Sequence, residues 1–173
     1  MRNLSFLLMT LCLFSTSAAC SSVMVEENWG QFISNIAKGN SQTIAVLPGK
    51  IKAISHSITD PQAIELVEAI SFALINKPLA TLQATEEIGT SADTLVQRFD
   101  SGSICSVPAI MSYTKSSVLK YYALATEALK KAGKPAAECL NIMQAAMAEI
   151  QQEDERGEMK WGNKSFNPVR ASG

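Results

Sequence analysis

The chain has 173 residues, 47% of them hydrophobic, with 15 Lys and Arg residues against 16 Asp and Glu residues. Because so neutral a chain has no basic excess to neutralise phosphates, its charge excludes a nucleic-acid-binding protein of the usual electrostatic type. The hydrophobic share is too high for an intrinsically disordered protein.

The first 19 residues have the three parts of a secretory signal. Arg2 is the positively charged start, LSFLLMTLCLF is the apolar core, and SAA supplies small residues before a cleavage point. The core is too short for a transmembrane helix, which needs about 20 residues. We therefore predict that residues 1–19 are a cleaved signal. One exported domain remains, with 14 basic and 16 acidic residues.

Cys20 follows the signal directly and allows two kinds of processing. An ordinary signal peptidase cut after Ala19 would release a soluble periplasmic protein. The segment SAAC also resembles the bacterial lipobox, in which the cysteine becomes acylated, although Ser17 stands where a large aliphatic residue is usual. An ordinary cut leaves three cysteines and one unpaired thiol, whereas lipidation of Cys20 removes the odd one. We therefore predict a lipid anchor on Cys20 and a tether over residues 20–25.

Apolar periodicity predicts about six helices within residues 26–156, which makes the fold a single compact all-α domain. The first helix is predicted over residues 26–38, and a second, short helix begins at Ser41 and is broken at Pro48. Asp60 followed by proline predicts the start of a third helix that runs to Asn76. Because this third helix is apolar around most of its circumference, we expect it to be the central element.

The second half of the domain contains several signals for helix starts, helix ends and turns. A short helical stretch opens at Pro78 and ends near Leu82, a capped segment covers residues 91–99, and DSGSICSVP is a turn-rich loop. Two helices follow, one from Ser116 to Gly133 and one that opens at Pro135. Residues 157–173 lack periodicity, which predicts a flexible tail.

Two cysteines remain in the exported domain. Cys105 lies in the turn-rich loop, and Cys139 lies in the second turn of the last helix. Export places both where disulfides persist. We predict that they pair, and two buried free thiols are the alternative.

Residues that could carry chemistry are few. His56 is the only histidine, and no nucleophile or metal-ligand motif accompanies it, so a surface role is expected rather than that of a general base. Glu65 and Glu68 share one helix face, which we expect to be solvated. An acidic run near the end of the last helix is interpreted as a solvated helix end; its members are Glu149, Glu153, Asp154 and Glu155. No catalytic residue, metal site or cofactor is predicted.

Trp161 and Phe166 are large apolar residues in an otherwise polar tail. One interpretation is that they contact a partner protein. The other is that they fold back onto the domain. The sequence leaves both open.

Residues 29–108 carry a spaced pattern that consists of Trp29, the turn NIAKGN, FALINKP and CSVP. This pattern resembles uncharacterised exported helical proteins and lipoproteins of bacteria. The resemblance implies a small helical exported fold and no particular activity. The general build also looks like the periplasmic immunity proteins of secretion-system toxins, a likeness of architecture alone.

An export signal without a catalytic constellation predicts a binding protein. We expect an exported helical protein of the bacterial cell envelope, anchored to a membrane by a lipid on Cys20, that docks to another protein. Neutralisation of a toxin is one concrete form of that function. The alternatives are a structural or envelope-maintenance lipoprotein, or an enzyme with an unrecognised site near His56.

Overall fold

The computed structural model describes residues 28–107 and 112–168. The signal, Cys20 and the tether lie outside these residues. Within them the regular elements are helices, which confirms the all-α prediction, and none of these helices is both long and apolar enough to cross a membrane. The elements are α1 (Trp29–Ala37), α2 (Ser41–Ile54), α3 (Asp60–Asn76), α4 (Pro78–Gly89), α5 (Thr94–Gln97), α6 (Ser101–Cys105), α7 (Lys115–Ala132), a 3-10 turn (Lys134–Ala136) and α8 (Ala137–Glu155).

Helix α3 is the central element, as its apolar circumference predicts. It packs against α1, α4, α6 and α7. Its fully buried side chains include Leu66, Ile70 and Leu74. A capping box between Thr59 and Gln62 begins the helix, so the N-cap is one residue earlier than the sequence suggested.

The expected break of α2 at Pro48 is wrong. The helix begins after Asn40, whose side chain accepts a hydrogen bond from the backbone N–H of Thr43 at 3.0 Å, and it continues through the proline. A proline inside a helix removes one backbone hydrogen bond and crowds the preceding turn. Burial of a continuous apolar face against the rest of the core offsets that cost; the face consists of Ile44, Leu47 and Ile51.

The region between Pro78 and Cys105 is more helical than its sequence suggested. Helix α4 extends beyond Leu82 to Gly89, because it buries Ala84 and Ile88 as well. The turn-rich loop contains α6, which begins where the Asp100 carboxylate accepts a hydrogen bond from the backbone N–H of Ser103. A short cap therefore converts part of a turn-rich sequence into a helix.

Residues 158–168 form an extended segment, here called the C-terminal strap, which lies against the helical domain. Lys164 accepts a hydrogen bond from the backbone N–H of Thr114 and donates one to the carbonyl of Ser112, both at 3.0 Å. The backbone N–H of Phe166 donates to the hydroxyl of Ser117 at 2.9 Å. These hydrogen bonds join the strap to the start of α7 and to the residues just before it.

The two large apolar residues of the strap fold back onto the domain. Phe166 is 7% exposed, and its ring lies 4.7 Å from that of Phe72 and 6.0 Å from that of Tyr121. Trp161 is half-buried and donates its indole N–H to Asp154 at 2.7 Å. Phe166 is thus part of the core, and its interpretation as a partner contact is wrong.

Candidate functional site

An open cleft of about 400 Å3 lies between the second half of α4, the short helix α6 and the first turns of α8. We call it the disulfide cleft, because Cys139 forms part of its wall. Its lining residues are Leu82, Thr85, Glu86, Gly89, Thr90, Asp100, Ser101, Gly102, Pro135, Glu138, Cys139 and Ile142.

A disulfide fixes two walls of the cleft to each other. Cys105, the last residue of α6, is bonded to Cys139 in α8, and their Cα atoms are 5.2 Å apart. The two cysteines are separated by 34 residues in sequence and both are buried. A covalent bond between two walls keeps the cleft in one shape, which reduces the ordering that a ligand must impose when it binds.

The cleft is acidic. Glu86, Asp100 and Glu138 line it, and none of the described residues in its lining is a lysine, arginine or histidine. Asp100 is held in place as the N-cap of α6, and Glu138 lies in the first turn of α8. Carboxylates that converge on a concave surface give it a negative potential, which attracts cationic groups.

Hydroxyl groups complete the polar lining. The side chains of Thr85 and Ser101 are hydrogen-bonded to each other at 2.8 Å and link α4 to α6. Gly89 and Gly102 leave the rim without side chains, so the cleft is accessible from outside. Such a lining provides hydrogen-bond acceptors and negative charge for a bound cationic side chain.

The described residues show no metal-binding arrangement beside this cleft or elsewhere. Within residues 28–107 and 112–168, no group of three His, Cys, Asp or Glu side chains is placed to hold a metal ion. The cleft lining likewise pairs none of its hydroxyl groups with a histidine base. The carboxylates and hydroxyl groups of the lining can contact a ligand by charge and by hydrogen bonds.

His56 lies outside the cleft, in the turn that follows α2. Its Nε2 atom is 2.6 Å from the carboxylate of Asp93, and the imidazole is largely exposed. Asp93 is also the N-cap of α5, and the hydrogen bond with His56 holds its carboxyl pKa below the usual value. The pair therefore ties the end of α2 to the start of α5.

Glu68 departs from the expectation of a solvated face. Its side chain is 5% exposed, one carboxylate oxygen lies 3.5 Å from the Lys164 ammonium, and the other accepts no hydrogen bond from the part of the chain that the structure describes. Burial, together with the charge of Glu68, raises the pKa of the Tyr113 phenol to about 12. The strap, almost a hundred residues later in the sequence, covers Glu68. The expectation that Glu68 is solvated is therefore wrong.

The acidic end of α8 is largely solvated. Glu149, Glu153 and Glu155 are exposed, as the sequence suggested. Asp154 is half-buried and is paired with Lys115 at the start of α7. Hydrogen bonds from Lys115 and Trp161 hold the pKa of the Asp154 carboxyl below its usual value. These contacts join the start of α7 to the end of α8.

Sequence reasoning identified the two cysteines of the cleft and missed its carboxylates. Glu86, Asp100 and Glu138 are spread over 53 residues and belong to no motif. Only the disulfide, which brings α6 to α8, pointed to this part of the chain.

Comparison with protein-family models, with curated proteins and with solved structures found no match for this chain.

Proposed function

We propose that this protein is an exported helical binding protein of the bacterial cell envelope, which docks another protein at the disulfide cleft. The observation that supports this proposal is the cleft itself, which combines three carboxylates with walls joined by a covalent bond. A rigid acidic cleft suits a lysine or arginine side chain presented by a partner. Neutralisation of a toxin is one form that such docking takes.

The charge of the cleft sets the character of the binding. Hydrogen bonds between an ammonium or guanidinium group and a carboxylate are stronger than neutral ones. Charge pairs at the rim of an interface act mainly on the rate of association, and salt screens them. We therefore expect the complex to form more slowly as the salt concentration rises.

The location in the envelope rests on the amino-terminal sequence and on the disulfide. Residues 1–19 read as a signal, and SAAC places Cys20 where a lipid would be attached. A disulfide belongs to an oxidising compartment such as the periplasm. A soluble periplasmic protein is the alternative form of the same proposal.

Photocrosslinking in the cells that produce the protein tests the docking site. The photoreactive amino acid p-benzoylphenylalanine replaces Thr90 at the cleft or, as the control, Ala148 on the outer face of α8. A discrete crosslinked protein is expected from position 90 and not from position 148. Equal crosslinking from both positions, or none from position 90, would contradict docking at the cleft.

Charge reversal tests the role of the carboxylates. The double variant Glu86→Lys with Glu138→Lys should abolish the crosslink from position 90. The matched control, Glu149→Lys with Glu153→Lys, makes the same change of net charge on exposed residues outside the cleft. Both variants should keep their free energy of unfolding to within about 0.5 kcal/mol, because all four side chains are exposed.

Intact mass measurement tests the anchor. Protein extracted from the membrane fraction should carry acyl chains on Cys20, and Cys20→Ser should move the protein to the soluble periplasmic fraction. An unmodified Cys20 in soluble wild-type protein would support the soluble alternative and leave the docking proposal standing.

A further inference from the structure

A second concave surface lies at another part of the molecule, where α3 gives way to α4 beside the carboxyl-terminal half of α7. We call it the lysine groove. It has a volume of about 490 Å3 and is lined by Ile75, Asn76, Lys77, Pro78, Leu79, Ala80, Ala128, Lys131 and Ala132.

The groove is apolar along its length. Ala80, Ala128 and Ala132 are small, so they leave space for a larger side chain from outside. Leu79 is 47% exposed, which is high for a large aliphatic residue beside a cavity. An aliphatic or aromatic side chain that entered here would remove Leu79 and the alanine methyl groups from water, at about 25 cal/mol for each Å2 of apolar surface.

The rim of the groove is basic. Lys77 and Lys131 line it. Nearby negative charge comes from Glu127, which pairs with Lys131, and from the carboxyl ends of α3 and α7. Each helix end carries about half a negative charge. Of the described residues that line the groove, the two charged ones are both lysines, which favours an acidic segment over a basic one.

We infer that the lysine groove binds a segment of a partner protein in which a large apolar side chain is flanked by aspartate or glutamate. The apolar floor selects the large side chain, and the lysine rim selects the flanking carboxylates. The chemistry is the opposite of that of the disulfide cleft, so the inference stands independently of what the cleft binds.

A different protein suits the groove better than a second copy of this chain. The carboxylates at the end of α8 surround Met147 and Ile150, which are buried and unable to enter a groove. Exposed Ile64 lies on α3 among acidic neighbours, but its patch differs from the groove. A contact between two different patches of identical copies is heterologous and tends to grow into open chains.

Selection from an unbiased library of random 12-residue peptides tests the inference on the full mature chain with its disulfide intact. The enriched peptides should carry Leu, Phe or Trp beside Asp or Glu. A synthetic peptide with the enriched sequence should bind at least tenfold more weakly to Ala128→Glu, which fills the groove with a charge. The matched control Ala148→Glu, on the exposed face of α8, should bind as wild type does.

A second variant keeps the test independent of folding. Lys77 and Lys131 are exposed, so the double variant Lys77→Glu with Lys131→Glu should remain folded and should select basic apolar peptides instead of acidic ones. The cleft variant Glu86→Lys with Glu138→Lys should bind the acidic peptide unchanged.

Several results would overturn the inference. The first is enrichment of peptides without acidic residues on the wild-type chain, and the second is equal enrichment on Ala128→Glu. The third is flotation with phosphatidylglycerol vesicles that Ala128→Glu abolishes, since the groove would then bind a lipid surface. The last is concentration-dependent association in sedimentation that Ala128→Glu abolishes, since the occupant would then be a second copy.

Discussion

The disulfide cleft and the lysine groove are two concave surfaces on one small domain, and they are built in opposite ways. The cleft has carboxylates and hydroxyl groups in its lining, and its walls are held by the bond between Cys105 and Cys139. The groove has alanines and Leu79 in its lining, and its walls are helices that pack on the core.

The difference shows how a surface of this size keeps its shape. The cleft is lined by residues of α4, α6 and α8, and a covalent bond joins α6 to α8 there. The groove belongs to the packing between α3, α4 and α7, which the core already requires. Removal of the disulfide should therefore weaken binding at the cleft, and substitutions in the core beside the groove should weaken binding at the groove.

The largest effect is expected from removal of the disulfide. In the chain-entropy model a bond that closes a loop of this length stabilises a fold by about 3 to 4 kcal/mol. The double variant Cys105→Ala with Cys139→Ala should lose about that much free energy of unfolding in urea titration. If the variant remains folded without urea, it should lose the crosslink at position 90 in cells, and the purified variant should still bind the acidic peptide.

Reductant provides the control for this prediction. Dithiothreitol should lower the urea midpoint of the wild-type chain and leave that of the double alanine variant unchanged. If the double alanine variant is folded and loses the crosslink and the peptide binding to the same extent, the bond supports the whole domain rather than the cleft alone.

An effect of similar size is expected from Phe166→Ala. Truncation of a buried phenylalanine costs about 3 kcal/mol or more, and Phe166 lies on Phe72 with Ile75 and Asn76 close by. Ile75 and Asn76 also line the groove. Peptide binding at the groove, measured on the purified variant, should therefore weaken more than crosslinking at the cleft, measured in cells that produce the variant.

Lys160→Ala is the matched control, because Lys160 is an exposed residue of the same strap. Its urea midpoint should equal that of the wild-type chain. Equal loss of stability in both variants would mean that the strap contributes through its backbone pairing rather than through the phenylalanine ring.

High pH should lower the stability of the whole domain, and both surfaces with it. Burial raises the pKa of Tyr121, and burial with the charge of Glu68 raises the pKa of Tyr113 to about 12. An unfolded chain ionises its tyrosines near pH 10, so the folded state holds more protons above that pH. The free energy of unfolding should fall as the pH rises from 10 towards 12, and urea midpoints measured across that range should show it.

Two variants separate the contributions to that alkaline loss. Tyr113→Phe should make the fall shallower, because one of the two protonated phenols is gone. Glu68→Gln should lower the pKa of Tyr113 only partly, since burial is its largest cause. A fall of the same steepness in the wild-type chain and in Tyr113→Phe would contradict the assignment.

The smallest effect is expected from His56→Ala, which lies outside both surfaces. The hydrogen bond with His56 lowers the pKa of Asp93, so the pair stabilises the fold above the ordinary carboxyl pKa. That contribution is lost as the pH falls through the lowered value. His56→Ala should therefore lower the urea midpoint slightly at neutral pH, and this difference from the wild-type chain should disappear in acid. Crosslinking at the cleft and peptide binding at the groove should stay unchanged.

A hundredfold loss of either binding readout, or of any activity that is found, would assign His56 a functional role instead. Asp93→Asn is the companion variant. It should reproduce the small change of midpoint, since it removes the charge that the imidazole contacts.

Local patterns were enough to predict much of the fold. The apolar circumference of α3 predicted its central position, and the count of cysteines identified the pair that the structure joins. These signals lie within one helix or in the composition, so no knowledge of distant contacts was needed.

The predictions that failed, and the residues that were missed, depend on contacts between distant parts of the chain. Glu68 looked solvated because nothing near it in the sequence shows that the strap covers it. Pro48 looked like a helix end because the burial that offsets its cost comes from other helices. The carboxylates of the cleft come from three separate helical regions, so only the tertiary structure brings them together.

The bond between Cys105 and Cys139 also determines what happens to a chain that has been cut. It closes a loop that contains all of α7, including Ala128 and Ala132 at the floor of the lysine groove. A protease that cleaves anywhere between the two cysteines leaves fragments that stay one covalent molecule until a reductant separates them. A copy cut once there would keep α7 covalently joined to the domain, and with it the groove.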